Sequence, residues 1–237
     1  MSEVLEAIIL AAGLGTRLRP YTERTPKPLL EVRGKPILYW IIKALPKQVT
    51  KIYVVVHYLA EQIEDWLGKQ QEIPAYQLVR QEQPRGSGDA VLACQQFVRG
   101  SRLLVLNGDD LYAAQDLAAL TRENFSLLGY PVQQPRAFGI LRVKQDKTLA
   151  ELVEKPDWPG PQLANIGAYM LPRRIFDIPP SLSPRGEYEL TEMVNLLAQQ
   201  QPCTVIQAHF WFPIGTLEAW QAAQELELSK WIPEAGI

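Results

Sequence analysis

A glycine turn followed by cationic side chains could bind a phosphate group. Gly13 and Gly15 come directly after an apolar run over residues 7–12. Glycine has no Cβ, so the backbone can turn sharply there and bring its N–H groups close to an anion. Four of the five charged side chains between residues 16 and 27 are cationic, in a chain whose formal net charge is −2. We therefore interpret residues 10–30 as a loop that binds phosphate through its backbone, Arg17 and Lys27.

Prolines and missing motif positions narrow the interpretation of this loop. Pro20, Pro26 and Pro28 exclude a regular helix and leave a long, stiff connection. The dinucleotide-binding fingerprint needs a third glycine and an immediate helix, and the Walker loop ends in Gly-Lys-Ser/Thr, so neither pattern matches. The remaining alternative is an ordinary strand-to-loop turn with a solvated basic face. That alternative explains the glycines but not the paired arginine–proline and lysine–proline steps.

Gln81 precedes a second glycine turn, which contains Gly86. A glutamine amide offers both a hydrogen-bond donor and an acceptor, so it can pair with the edge of a pyrimidine base. Gln81 is therefore our first candidate for a base-binding residue, and Gln83 is the second. The alternative is that both are surface glutamines beside a turn.

Asp109 follows an apolar run at residues 103–106 and a glycine. A carboxylate at the carboxyl end of a buried strand is well placed to hold a hard divalent cation that bridges the protein and bound phosphates. Asp109 is therefore the candidate metal ligand. Asp110 would face the other way if the strand continued, and we interpret it as part of a turn or helix start.

The run GLGTRLRPYTERTPKPLLEVRGKPIL, residues 13–38, resembles the signature loop of the sugar-1-phosphate nucleotidyltransferases. The resemblance extends over about residues 6 to 228. It implies a Rossmann-like α/β fold of nucleotidyltransferase (GT-A-like) architecture, with a mixed, mainly parallel sheet and helices on both faces. It also implies that the loop holds the triphosphate of an NTP, that the partners are an NTP and a sugar-1-phosphate, and that Mg²⁺ is the cofactor.

The same resemblance assigns roles to individual residues. The implied catalytic residues are Arg17, Lys27 and Asp109, and Asp109 is the implied metal ligand. The implied nucleotide-binding residues are Ala12, Gly13, Gly15, Thr16, Arg17, Gln81 and Gly86. The implied sugar-phosphate-binding residues are Gly139, Glu154, Lys155 and Asn165.

One position departs from the family pattern. Members of the family usually complete the metal site with an aspartate in a Trp-x-Asp-x-Gly-Thr segment, whereas this chain has Pro213 at that place, between Trp211 and Gly215. Proline has no side-chain oxygen to offer a cation. The resemblance therefore predicts an enzyme that joins a sugar-1-phosphate and UTP or dTTP, with weakened metal binding. The alternative is a silent homologue that binds a nucleotide sugar and regulates a partner.

Apolar runs and turn residues predict the elements that position these groups. In the first half, strands at residues 7–12, 52–56, 76–79 and 103–106 alternate with helices at 37–45, 60–67 and from the turn after Gln81 to about 98. The second half is richer in strands, at residues 126–130, 139–143, 149–154 and 163–171. Alternation of this kind predicts a parallel sheet with ligands at the carboxyl ends of its strands. We expect one domain over residues 1–237, with an NTP-binding half at about 1–125 and a sugar-phosphate-binding half at about 126–237.

Composition excludes several other classes of protein. The 237 residues are 47% hydrophobic and 21% charged, with a pI near 5.8, which argues against nucleic acid or an anionic membrane as the main partner. Cys94 and Cys203 are too few and too far apart for a disulfide framework or a zinc site, so we expect buried thiols. There is neither a targeting segment nor an apolar run of about 20 residues, which predicts a cytoplasmic location. We expect no acyltransferase activity because no hexapeptide repeat is present, and homo-oligomerisation is left open.

Overall fold

The computed structural model describes residues 5–183 and 186–233. The strands of these residues are β1 (Leu5–Leu10), β2 (Glu31–Val32), β3 (Lys35–Pro36), β4 (Val49–Val56), β5 (Ala75–Arg80), β6 (Arg102–Asn107), β7 (Asp110–Tyr112), β8 (Ser126–Val132), β9 (Gly139–Val143), β10 (Leu149–Glu154), β11 (Gln162–Pro172), β12 (Thr204–Gln207) and β13 (Trp211–Pro213). The α-helices are α1 (Ile37–Ala44), α2 (Ala60–Gly68), α3 (Ser87–Leu92), α4 (Ala114–Leu120), α5 (Leu190–Ala198) and α6 (Leu217–Ala223).

A nine-stranded mixed sheet runs through both predicted halves. Its main path has the order β10-β9-β11-β6-β1-β4-β5, and β8 pairs with β11 and β12. The run from β6 to β5 is parallel, whereas β11 is antiparallel to β6, β8 and β9. The β6–β11 pair joins the first half of the chain to the second within one sheet.

Alternating side chains of β1 belong to two different hydrophobic clusters. Ala7 and Ile9 pack with residues of α1, α2 and α4, whereas Ile8 packs with residues of α3 and α5. Side chains of a strand point to opposite faces of its sheet, so a strand that is apolar at every position must be covered on both sides. The predicted α/β fold, with a mainly parallel central sheet and helices on both faces, is confirmed.

The signature loop folds into short 3₁₀ turns at Thr16–Leu18, Tyr21–Glu23 and Lys27–Leu29. No α-helix interrupts it between Gly15 and Leu30, as the prolines predict. Helix α6 packs on the end of this loop, where the indole N–H of Trp220 donates to the carbonyl of Glu31 at 2.7 Å. The loop is therefore fixed by contacts with a segment almost 200 residues away in sequence.

Two local predictions are wrong. The helix expected to run to about residue 98 ends at Leu92, because the chain then continues in tight turns that keep Cys94 and Val98 buried. Asp110 is not part of a turn or helix start. It begins β7, where it pairs with Pro213 of β13, and the residue is only 6% exposed.

The two cysteines are free and buried, as expected. Burial raises the pKa of the Cys94 and Cys203 thiols to about 12, so neither is a reactive thiolate. Within residues 5–183 and 186–233, no helix is long and apolar enough to cross a lipid bilayer.

Candidate functional site

A cavity of about 480 Å³ opens at the carboxyl ends of β1 and β6. Parallel strands end at the same edge of a sheet, so the loops that follow them meet there. Eight of the residues predicted for nucleotide or metal binding line this cavity: Ala12, Gly13, Gly15, Thr16, Lys27, Gln81, Gly86 and Asp109. The fold thus brings together groups that are up to 97 positions apart in the printed sequence.

Two glycines allow the backbone to close around this cavity. Gly15 has a φ of 61°, and a Cβ there would lie 2.9 Å from the Thr22 side chain. A Cβ on Gly108 would lie 2.6 Å from the carbonyl oxygen of Leu10, so the ends of β1 and β6 approach too closely for any other residue. Both glycines allow the walls of the cavity to pack closely. Gly108 also brings the neighbouring Asp109 near the carboxyl end of β1.

Lys27 and Asp109 form an ion pair inside the cavity. Lys27 is only 6% exposed, whereas the Asp109 side chain is 40% exposed and can reach a ligand. Among the described residues, no group of three or more histidine, cysteine, aspartate or glutamate side chains could hold a metal ion by itself. Mg²⁺ is commonly held by one or two carboxylates together with substrate phosphates, so Asp109 fits a cation that arrives with a nucleotide.

Asp110 lies beside the candidate metal ligand but faces the protein interior. Its carboxyl accepts hydrogen bonds from the side chains of Asn107 at 3.2 Å and Tyr112 at 3.4 Å. Burial, together with the charge of Asp109, raises the pKa of Asp110 to about 7. A carboxyl that is buried in this way is a structural link between β6 and β7 and is poorly placed to bind a cation from the cavity.

Gln81 lies at the end of β5, and its side-chain nitrogen is already engaged. Its Nε2 donates to the carbonyl of Gly86 at 3.2 Å and to Asp89 Oδ2 at 2.7 Å. An amide nitrogen carries two hydrogens, so both donors are used within the protein. The sequence interpretation expected Gln81 to offer a base both a donor and an acceptor. In the structure only the acceptor Oε1 is left.

Arg17 is placed differently from the other predicted nucleotide-binding residues. Its side chain is exposed and is absent from the cavity lining described above. The guanidinium instead lies against Gly215, with its atoms 3.5–3.8 Å from the position that a Cβ would take there. Arg17 therefore stands between the glycine loop and the segment that carries Pro213.

The four predicted sugar-phosphate residues form a second group. Gly139 and Glu154 are cross-strand partners in β9 and β10, and a Cβ on Gly139 would lie 3.0 Å from Glu154 Oε2 and 3.9 Å from the Cβ of Asn165. The Lys155 ammonium lies 3.8 Å from Glu154 Oε1. These residues do not line the cavity at the ends of β1 and β6. Gly167, at a φ of 69°, packs against the Asn107 side chain and so connects this group to the end of β6, two residues before Asp109.

Several residues that sequence reasoning did not select also line the cavity, among them Ser87, Asn107, Gly108 and Glu187. Asn107 and Gly108 directly precede Asp109, and that adjacency was the available signal. Glu187 comes from a distant segment that is fixed against the first turn of α3, where the N–H of Gly88 donates to the carbonyl of Tyr188 at 2.7 Å. Only the tertiary structure reveals that approach.

The chain is similar to several known proteins. A family model described as nucleotidyl transferase matches residues 6–230. Over 214 residues the chain is 34% identical to the bifunctional protein GlmU of Methanocaldococcus jannaschii, covering 89% of this chain and 51% of that protein. It is 30% identical over 233 residues to a bifunctional sugar-1-phosphate nucleotidylyltransferase/acetyltransferase of Sulfurisphaera tokodaii, covering 96% of this chain and 55% of that protein.

The chain therefore spans about half the length of these curated relatives. Among solved structures, a UDP-glucose pyrophosphorylase bound to UDP-glucose superposes with a TM-score of 0.83 at 21% identity, covering 93% of this chain and 97% of that one. At this level of identity the superposition supports the fold alone.

Proposed function

Since this chain belongs to the nucleotidyl transferase family, we propose that it joins a sugar-1-phosphate to UTP or dTTP and releases pyrophosphate. In this reaction a phosphate oxygen of the sugar-1-phosphate attacks the α-phosphorus of the NTP. The bond from the α-phosphorus to the bridging oxygen breaks, and pyrophosphate leaves with the electron pair. No covalent intermediate with the protein is needed.

The observation that supports the proposal best is that the glycine loop, Lys27, Gln81 and Asp109 line the same cavity. Phosphoryl chemistry of this kind depends on positioning and on neutralising charge, and these groups supply both. The backbone N–H groups of residues 13–16 and the Lys27 ammonium would hold the triphosphate. Arg17 would bind phosphate from the side of Gly215, which requires its exposed side chain to turn toward the ligand.

The second group would bind the sugar-1-phosphate. Glu154 accepts hydrogen bonds from sugar hydroxyls, Lys155 neutralises the phosphate, and Asn165 completes the contacts to the ring. Mg²⁺ held by Asp109 and the nucleotide phosphates would neutralise charge that develops on the phosphate oxygens. The single-domain organisation, the cytoplasmic location and the oligomeric state stay predictions.

A regulatory homologue is the second candidate, and Pro213 is the observation that favours it. Pro213 lies opposite Asp110, and the next residue, Ile214, donates its N–H to the Asp109 carbonyl at 3.2 Å. Position 213 is therefore close to the candidate metal ligand, and its proline has no side-chain oxygen to offer a cation. A protein of this kind would bind nucleotide sugar without turnover.

Pyrophosphate release decides between the two candidates. The purified protein is incubated with Mg²⁺, a panel of sugar-1-phosphates and each of UTP, dTTP, CTP, ATP and GTP. We expect release with UTP or dTTP that requires both substrates and is lost in Asp109→Asn. Binding of a nucleotide sugar without release under any combination would overturn the enzymatic proposal in favour of the regulatory one.

A further inference from the structure

The hydrogen-bond partners of the Gln81 side chain determine which way its amide group faces. Its side chain lies against two groups that can only accept hydrogen bonds, the Gly86 carbonyl and the Asp89 carboxylate. An amide oxygen facing the Asp89 carboxylate would be repelled by a full negative charge, whereas the Gly86 carbonyl is a neutral and more distant acceptor, so Asp89 contributes most to holding the nitrogen on this side. Gln81 is 4% exposed, which leaves it no freedom to swing into solvent.

Asp89 is itself held in place from the other side. Its Oδ1 accepts from the Arg85 guanidinium at 2.6 Å while Oδ2 accepts from Gln81, so each oxygen has a partner. The Arg85 guanidinium lies 5.6 Å from the centre of the Tyr188 ring. The Asp89 side chain is 16% exposed and does not line the cavity, and its hydrogen bond to Gln81 connects it to a residue that does.

The group that Gln81 presents to the cavity is therefore an acceptor alone. Within the described part of the chain, no hydrogen bond is made to Gln81 Oε1. Uracil and thymine carry an N–H at ring position 3 and can donate to it. Cytosine has an unprotonated acceptor nitrogen at the same position, and two acceptors facing each other in a poorly hydrated site are unfavourable.

We propose that Asp89 is a positioning residue for base selection: by holding the Gln81 amide nitrogen, it leaves only Oε1 to meet the base and so makes the site reject CTP. The inference rests on the proposed function, because it takes the cavity to be the nucleotide site. It concerns discrimination between bases of equal size, so the width of the cavity does not enter. UTP and CTP form the matched pair of ligands.

The test is calorimetric titration of the whole protein with UTP and with CTP, in Mg²⁺ and without sugar-1-phosphate, so that turnover does not interfere. We expect wild type to bind UTP about tenfold to a hundredfold more tightly than CTP, the range of an unsatisfied buried acceptor. In Asp89→Asn the new amide can also donate to Gln81 Oε1 and allow the reversed orientation. The preference should then fall to about threefold or less, mainly because CTP binds better.

Asp89→Leu serves as a second variant, because it removes the acceptor without adding a donor, and it should lower the preference in the same direction. Arg85→Gln is the control. It removes the ion pair but keeps the Asp89 carboxylate, so we expect it to retain the wild-type ratio. General damage to folding would weaken both ligands together and would leave the ratio unchanged.

The possible failures are distinguishable. Equal binding of UTP and CTP by wild type, or an undiminished ratio in both folded Asp89 variants, would overturn the role of Asp89 and leave the proposed function standing. If wild type binds none of the nucleotides, the proposed function fails and this inference fails with it.

Discussion

The Lys27 ammonium binds the Asp109 carboxylate across 82 positions of sequence. The signature loop supplies the cation and the turn between β6 and β7 supplies the anion, so two groups that were predicted to act on a nucleotide neutralise each other. Lys27 is 6% exposed, and an uncompensated charge at such a depth would be costly. In the ligand-free site the ion pair therefore compensates the buried charge of Lys27, and a divalent cation that binds Asp109 must compete with Lys27.

Replacing Lys27 by Met should expose this competition. Met keeps most of the volume of the side chain but has no charge, so Asp109 becomes available to a cation. We expect free Lys27→Met protein to bind Mn²⁺ about tenfold more tightly than wild type, an order of magnitude typical of changes around a metal ligand, when measured by Mn²⁺ paramagnetic resonance. Turnover should fall at the same time because a phosphate contact is lost.

Lys43→Met is the matched control for that experiment. Lys43 is also largely buried, at 12% exposure of its side chain, and its Nζ lies 3.9 Å from Glu72, in a different part of the molecule. It should leave Mn²⁺ binding unchanged. Unaltered Mn²⁺ affinity in a folded Lys27→Met protein would show that Lys27 does not compete for Asp109.

Arg17→Ala should weaken NTP binding far more than sugar-1-phosphate binding, and Lys155→Ala should do the reverse. The reason is that Arg17 follows the glycine turn whereas Lys155 belongs to the second group. Removing one hydrogen bond to a charged phosphate should weaken binding of the affected ligand by about tenfold to a hundredfold. Calorimetry with each ligand separately measures it, with the exposed neighbour Arg19→Ala as control. Equal losses for both ligands would mean that the halves are assigned wrongly.

Pro213→Asp should strengthen metal binding at the site. The β7–β13 pairing places residue 213 opposite Asp110, and the N–H of Ile214 donates to the Asp109 carbonyl, so a carboxylate at position 213 would lie near Asp109 and could complete the coordination. We expect the Mg²⁺ concentration for half-maximal turnover to fall by about tenfold, and Mn²⁺ binding in the presence of UTP to tighten similarly. Asp109→Asn should abolish both signals.

Proline restricts φ and has no N–H, so thermal unfolding of the Pro213→Asp variant must first show a native-like transition. A folded variant with unchanged metal dependence, beside a wild type that is already fast at low Mg²⁺, would show that another group supplies the missing ligand.

Gly86→Ala should destabilise the protein strongly. Gly86 has a φ of 119°, and a Cβ there would lie 2.5 Å from the backbone oxygen of Tyr188, which cannot move aside. We expect the free energy of unfolding to fall by at least about 2 kcal/mol, from backbone strain plus overpacking. Gly160→Ala is the control, because Gly160 has a φ of 74° but no atom within 4 Å of the new Cβ. Urea unfolding that gives the two variants equal losses would contradict the steric argument.

Glu6→Gln should reduce stability at neutral pH more than at low pH. Burial raises the pKa of Glu6, but hydrogen bonds from the N–H of Gly100, the Tyr53 hydroxyl and the N–H of Arg99 outweigh burial and lower it overall. A carboxylate whose pKa falls on folding adds stability above its unfolded pKa and loses that stability as the pH drops through the folded value. We expect a loss of about 1–2 kcal/mol at pH 7 and a smaller loss at pH 4, measured by urea unfolding.

Glu61→Gln provides the comparison for Glu6. Glu61 also has a lowered pKa, through its bond with Arg80, but it is exposed to solvent. Solvent screens such pairs, so this variant should unfold close to wild type at both pH values. If the loss of stability in Glu6→Gln were the same at both pH values, the charge of Glu6 would not explain it.

Patterns along the chain were sufficient for the α/β class, for the absence of an α-helix between Gly15 and Leu30, and for eight of the residues that line the cavity. Glycine, proline and uninterrupted apolar runs act on the backbone within a few residues, so their consequences can be predicted without knowing what lies nearby in space. The same locality explains why Gly13, Gly15 and Asp109 were selected correctly as residues at the ends of strands. Their roles toward ligands stay predictions.

Contacts between distant segments determined the side-chain arrangements that the sequence did not predict. The sequence alone is consistent with Asp110 in a turn, and only the pairing of β13 with β7 shows that it lies on a strand. The sequence likewise leaves the Gln81 amide with a free donor and a free acceptor, whereas in the structure Asp89 and Gly86 accept both hydrogen bonds from its nitrogen. The tertiary structure also set Lys27 against Asp109 and Arg17 against Gly215. Hydrogen bonds and ion pairs depend on distances of a few ångströms between groups, and a linear pattern specifies residue types but not those distances.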